Sequence, residues 1–403
     1  MAHSEGHPGR SAREGESVTL LRSGILCLMT SITALGATAA ESPRARELGV
    51  PFDGEPGPLN AITDVAGVTV GHATLIEDLA DGRRVRTGVT AILPRGRASI
   101  RTPAFAGSFV LNGAGEMTGM AWVEESGRLE GPVMLTNTHS VGTVHEATIA
   151  WRVRQGQADA AGYWWSTPMV AETWDGWLND INGFHVKPAH VDAALDGAKG
   201  GPVAEGGVGG GTGMSCHGFK CGIGTASRRV AVAGHPQTVG VLVQANYGIR
   251  RTLRVAGVPV GRHLEELARK QDPRADGDSG SIIIVVATDA PLLPFQLKRA
   301  ARRASLGLAR LGSHAGNGSG DIFIAFSTAN AEALDERPLQ AAAYLDNGLL
   351  DPLFEATVQA TEEAIVNALV AGRDMEGQEG HVARGLPHAE LVALLRYYKR
   401  LAE

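Results

Sequence analysis

Two serines in this sequence stand where a glycine-rich loop runs straight into an apolar strand. The first is Ser281, in Asp276-Gly277-Asp278-Ser279-Gly280-Ser281, followed by Ile282-Ile283-Ile284-Val285-Val286. A serine nucleophile on a sharp elbow needs a strand before it and a helix after it. Here a loop comes first and the strand follows. That order suits a serine exposed by breaking the peptide bond in front of it. The freed α-amine, with an ordinary pKa of about 8, can act as general base for its own hydroxyl. Gly280 has no Cβ and suits the strained backbone that attack on its own carbonyl requires. Read alone, the hexapeptide also fits a plain turn before a strand.

The second serine is Ser319, in Gly316-Asn317-Gly318-Ser319-Gly320-Asp321. Ser319 and Asp321 are two apart, so on a strand they project to the same side. A hydroxyl and a carboxylate side by side can hydrogen-bond an ammonium group and orient a nearby serine; turn capping is the simpler reading. Gln244-Ala245-Asn246-Tyr247-Gly248 closes another apolar run. The Asn246 amide could stabilise a tetrahedral oxyanion, an interaction worth about 3 kcal/mol, or simply close a turn. Gly206-Gly207-Val208-Gly209-Gly210-Gly211-Thr212-Gly213 lacks the Gly-Lys-Ser/Thr ending of a phosphate loop, so no nucleotide site is expected. His139, alone in Thr136-Asn137-Thr138-His139-Ser140, reads as a core or supporting residue rather than a catalytic base. Cys216 and Cys221 fit small-residue packing or one disulfide better than a zinc site, and no metal or organic cofactor is expected.

The elements that must position these residues alternate short β-branched runs with glycine turns. Strands are expected at 67–71, 88–93, 109–111, 229–233, 239–244, 281–288 and 321–327. Helices are expected at 141–155 and 262–270, through Leu297, Ala301, Ala304, Leu308 and Leu311, and from Asp351-Pro352 to Gly372. The cluster Arg299, Arg302, Arg303 and Arg310 reads as a solvated helix face, and residues 41–60 as an extended arm. With 43% hydrophobic residues and 403 in all, one α+β domain with the Ser281 strand at its centre is expected. A net charge of -6 argues against nucleic acid or an anionic membrane as partner. Arg22, the apolar run 24–35 and Ala37-Thr38-Ala39-Ala40 have the parts of a secretory signal. Residues 1–40 are therefore expected to be a leader that directs the protein to the periplasm or outside the cell; a cytoplasmic extension is the alternative.

Taken together, these segments resemble the L-aminopeptidase/D-amidase-esterase family, which includes the β-peptidyl aminopeptidases. The matching strings are 60–68 (NAITDVAGV), 135–140 (LTNTHS), 172–176 (ETWDG), 209–214 (GGGTGM), 244–248 (QANYG), the Gly280-Ser281 junction and 317–321 (NGSGD). The resemblance implies a four-layer αββα sandwich, similar to the N-terminal-nucleophile hydrolases but differently connected. It implies autocleavage between Gly280 and Ser281 into chains 41–280 and 281–403 of one catalytic domain, and a homo-oligomer of such pairs. It makes Ser281 the nucleophile, Ser319 and Asp321 its supports, Asn246 an oxyanion donor, and Glu172 the receptor for a substrate amine. The substrate would be a small peptide, amide or ester with a free amino terminus. Trp174 departs from the tyrosine of some relatives; without the hydroxyl it speaks against the family's D-amino-acid amidase profile and leaves the choice between α- and β-amino acids open. A self-processed acyltransferase and a non-catalytic binding protein of the same fold are the alternatives.

Overall fold

The apolar β-branched runs become strands, and the strands assemble into two sheets. In the computed structural model, which describes residues 43–156, 165–265, 280–334 and 339–402, they are β1 (Thr69–Asp78), β2 (Arg84–Arg97), β3 (Ala104–Gly113), β4 (Arg128–Leu129), β5 (Val133–Asn137), β6 (Met169–Thr173), β7 (Ser215–Cys216), β8 (Phe219–Lys220), β9 (Ile223–Val232), β10 (His235–Asn246), β11 (Ser281–Thr288) and β12 (Gly320–Ser327). The smaller sheet has the order β1-β2-β5-β6 and the larger β4-β3-β12-β11-β10-β9, while β7 with β8, and the short strands β13 (Met375–Glu376) with β14 (Val382–Ala383), form separate antiparallel pairs. The main helices are α1 (Met120–Ser126), α2 (Val141–Arg154), α3 (Pro188–Asp196), α4 (Val260–His263), α5 (Pro294–Arg310), α6 (Asp351–Val370) and α7 (His388–Tyr397).

Three apolar layers hold these elements together. Between the sheets, Ile92, Leu135 and Ala171 of the smaller meet Leu242, Ile283, Val285 and Ile324 of the larger. Outside the larger sheet, Ile282, Ile284 and Phe323 pack on Leu297, Leu308, Ile365 and Leu369 of α5 and α6. Outside the smaller, Val89, Ala91 and Met134 pack on Val144 and Trp151 of α2 and Val191 of α3. The layering is helix, sheet, sheet, helix. β11 sends alternate side chains into two cores, so every residue along it is buried, and an unbroken apolar run is the sequence such a strand needs. It lies antiparallel to β10 and parallel to β12. A parallel pair needs a long crossover, and α5 supplies it.

Several expectations need adjustment. Residues 41–60 are not a free extended arm where described. A turn at 45–49 is tied down by Arg44 to Glu205, by Arg46 to Glu363 and by the Ala45 amide to Asn367. Asp351 sits in the first turn of α6 instead of capping it; Leu350 holds the cap position with no side-chain bond. The arginine face is only partly solvated, because the guanidinium groups of Arg299 and Arg303 lie over the Phe354 ring and that of Arg302 over Phe109. Of the helix expected at 262–270, α4 covers only residues 262–263 and ends at its cap Leu264, and residues 266–270 lie outside the described residues. The leader 1–40 and Asp276 to Ser279 lie outside the described residues.

Candidate active site

The site is built where β11 begins. Ser281 is its first residue, paired in register with Asn246 on β10 and Gly320 on β12. It alternates with Ile282, so it shares the inter-sheet face with Ile283 and Val285. There it is 5% exposed, at the edge of a cleft of about 560 Å³ that Gly115, Glu116, Thr138, Glu172, Trp174 and Gly280 also line. The Gly320 amide donates both to Ser281 Oγ at 3.2 Å and to the Gly280 carbonyl at 3.1 Å. One N–H therefore faces the nucleophile and the carbonyl it would attack. This close approach depends on Gly320, where a Cβ would stand 2.6 Å from the Ala114 carbonyl oxygen.

Ser319 Oγ donates to Asp321 Oδ1 at 2.7 Å, and both are buried. The structure thus brings this pair together, with Asp321 in register with Ile282, one residue past the nucleophile. Asn246, 8% exposed, is held at both ends: its Oδ1 accepts from the Ser215 amide at 2.9 Å and its Nδ2 donates to the Trp174 carbonyl at 2.7 Å. An amide nitrogen carries a second N–H beyond that bond, so the Asn246 side chain retains a donor while its orientation is fixed.

The opposite wall comes from β6 and the turn after β5. Glu172 is 3% exposed; its Oε1 accepts from the Glu116 amide at 3.0 Å and its Oε2 from Thr138 Oγ1. Burial pushes its pKa up, and the bonds from Thr138 and Glu116 pull the other way. A partly desolvated carboxylate in an open cleft is suited to a ligand ammonium. Asn137 explains the local path: its Oδ1 accepts from the Ser140 amide, capping the short turn 138–140 that presents Thr138. Its Nδ2 donates to Thr87 Oγ1. Trp174, 40% exposed, forms the rim, and Gly176 leaves room for the indole, since a Cβ there would lie 2.5 Å from it. Asp175 does not line the cleft; it is fully buried, its Oδ1 accepting from Asn179, and burial raises its pKa to about 7.

His139 is exposed and stacks on Phe184, so it is no core residue. It lies close enough to Glu172 to favour the charged carboxylate. The glycine run at 206–213 threads between the sheets: a Cβ on Gly210 would come within 2.1 Å of Gln244 Oε1 and 2.8 Å of the Leu135 carbonyl oxygen. Cys216 and Cys221 form a disulfide. Sequence reasoning missed Thr138, Glu116, Gly320 and Ser215. Thr138 and Gly320 lay inside strings already singled out, whereas Glu116 and Ser215 act here through backbone amides, which side-chain patterns do not reveal.

A serine at the head of β11 and a buried carboxylate, Glu172, lining the same cleft are what a serine hydrolase acting at a free amino end requires. Residues 60–383 match Peptidase family S58, and the chain belongs to that family. It is accordingly a hydrolase of the aminopeptidase type. It is 53% identical to β-peptidyl aminopeptidase BapA of Sphingosinicella microcystinivorans, over 93% of this chain and 97% of that one. Identity to the protein of the same name from Sphingosinicella xenopeptidilytica is 48%, over 94% and 98%. Among solved structures it is similar to the L-aminopeptidase D-Ala-esterase/amidase of Ochrobactrum anthropi, a variant of the Ntn-hydrolase fold. That match has a TM-score of 0.84 and 49% identity, covering 89% of this chain and all of that one. A β-aminopeptidase from Burkholderia sp. matches with TM-score 0.80 and 50% identity, over 88% and 99%.

Proposed function

We propose that the protein cuts itself between Gly280 and Ser281 and then releases N-terminal residues, β-amino acids among them, from small peptides, amides and esters. In the first stage Ser281 Oγ attacks the Gly280 carbonyl carbon. The new C–O ester bond replaces the C–N bond, the hydroxyl proton ends on the released Ser281 amine, and water hydrolyses the ester to a Gly280 carboxylate. The Gly320 amide, 3.1 Å from the Gly280 oxygen, is placed to stabilise the charge that develops there. That bond is the observation that carries the self-cleavage.

In turnover the same oxygen attacks the first carbonyl of a substrate whose ammonium pairs with Glu172. The Ser281 amine takes the hydroxyl proton and passes it to the leaving amine, and water clears the acyl-enzyme. Ser319 and Asp321 hold the amine, and Asn246 with Gly320 donates to the oxyanion. Because Glu172 closes the cleft on the amine side, only terminal residues are released. Acceptance of β-amino acids rests on the identity to the two Sphingosinicella enzymes. Export by residues 1–40 and assembly of the cut pairs into a homo-oligomer complete the proposal, on the strength of the leader's composition and the family resemblance.

The test is hydrolysis of β-alanyl and α-aminoacyl p-nitroanilides beside their N-acetylated forms. Release from the free amines alone is expected. Equal rates on acetylated substrates would remove Glu172 from its role, and activity on α-substrates alone would remove the β-amino acids.

A further inference from the structure

The hairpin β7–β8 does not line the cleft, yet it holds one of the two groups that orient Asn246. Two strands of two residues each are marginal on their own. The turn between them passes through His217 and Gly218, both at positive φ (48° and 70°), as a type I′ hairpin turn requires. His217 is the non-glycine residue in that pair, and such a backbone persists only when its surroundings fix it.

The surroundings here are dense. The Cys216–Cys221 disulfide spans the turn. Fully buried Lys220 donates from Nζ to the Cys221 and Met214 carbonyls at 2.6 and 3.0 Å. The His217 amide donates to the Tyr247 carbonyl at 2.7 Å, and the Ala245 amide to Gly222 at 2.9 Å. The hairpin turn is thereby fastened to the backbone after Asn246 and the segment leaving the hairpin, at Gly222, to the backbone before it, and the Ser215 amide at the hairpin's head donates to Asn246 Oδ1.

We propose that the Cys216–Cys221 disulfide is a positioning device for the reaction: by holding the Ser215 amide against Asn246 Oδ1, it keeps the Asn246 Nδ2 donor aimed for oxyanion stabilisation. The inference rests on the oxyanion role proposed for Asn246. Both cysteines are fully buried, so the bond belongs to the folded scaffold and substitution is the way to probe it, not added reductant.

The test is a double-mutant cycle of Cys216→Ala/Cys221→Ala with Asn246→Ala, reading kcat and KM of the self-cleaved fraction on an aminoacyl p-nitroanilide. Asn246→Ala alone is expected to lower kcat about 100-fold. The cysteine pair is expected to lower it roughly 10-fold through misplacement of the donor, with KM little changed. In the combined variant kcat falls no further than in Asn246→Ala. A parental kcat for the cysteine pair, or a loss that multiplies with Asn246→Ala, overturns the inference. A parental kcat for Asn246→Ala alone removes the oxyanion role beneath it, which is a separate result. Should the cysteine pair not fold, Ser215→Pro keeps the disulfide and deletes the N–H; it is expected to show the same loss, and a parental kcat there also overturns the inference.

Discussion

Replacing Gly280 by alanine separates self-cleavage from turnover. A Cβ at this position would lie 2.0 Å from the Asn246 carbonyl oxygen and 2.6 Å from Tyr247 Cα, where 3.4 Å is ordinary contact. The backbone at Asn246 and Tyr247 has little freedom to retreat, because it is paired into β10 and fastened to the β7–β8 hairpin. The head of β11 must therefore move by about 1 Å or more, carrying Ser281 and the Gly280 carbonyl away from the Gly320 amide. A misplacement of that size costs about 100-fold in rate, equivalent to about 2.7 kcal/mol of barrier. The assay is the decay of the full-length chain after purification, followed by denaturing gel and intact mass. Molecules that do cut lose the peptide link that transmits the strain, so their kcat per cut chain should lie near the parent's. If Gly280→Ala is processed at the parental rate, the close approach at this junction plays no part in positioning the attack.

Further outcomes follow from the buried charges. Removing the Thr138 hydroxyl in Thr138→Val takes away a bond that stabilises ionised Glu172 while burial still opposes its charge. The acidic limb of kcat/KM should move to higher pH, and an unchanged limb would detach Glu172 from substrate binding. Asp175 is raised by burial from 3.8 to about 7, so between those values the native state binds the extra proton and stability falls as pH rises. Asp175→Asn should flatten that slope in urea titrations at pH 5 and pH 7, with its largest relative gain at the higher pH. Glu363 is buried and pairs with Arg228 at 2.7 Å and Arg46 at 2.7 Å. Burial alone would raise it, but the Arg46 bond and the Arg228 charge outweigh that and hold it low. Its contribution is thus present above the ordinary carboxylate range and is lost as pH falls through the lowered value. Glu363→Gln leaves the buried Arg228 charge without its carboxylate, though its bonds to the Asp53 and Ser227 carbonyls remain, and should cost about 3 kcal/mol in denaturant unfolding.

The parts of this protein legible in sequence were those whose signal is local. The run after Ser281 is unbroken because β11 is buried on both faces, and the Leu297 to Leu311 spacing matches α5. Ser319 and Asp321 were readable as a pair because two residues of separation put them on one side. Less legible were β5 and β6, which are five residues each and end in Thr136-Asn137 and Glu172-Thr173, polar residues that follow no strand alternation. They make sense only against Gln244, whose Nε2 reaches the Thr136 carbonyl and Thr173 Oγ1 from the other sheet. The exposed setting of His139 and the hold of Ser215 on Asn246 are likewise long-range facts. The packing role of the glycines at 209–211 is hidden in the sequence for the same reason: the contact that excludes a Cβ at Gly210 comes from Gln244 on a distant strand.

The central claim is that Ser281 becomes an N-terminal nucleophile by its own action. The most direct measurement is intact mass and N-terminal sequencing of the purified protein beside its Ser281→Ala variant. The parent should give two fragments, the smaller beginning Ser281-Ile282-Ile283, and the variant a single uncut, inactive chain. A variant cut normally at the same bond, or a parent that hydrolyses substrates as one intact chain, would contradict it.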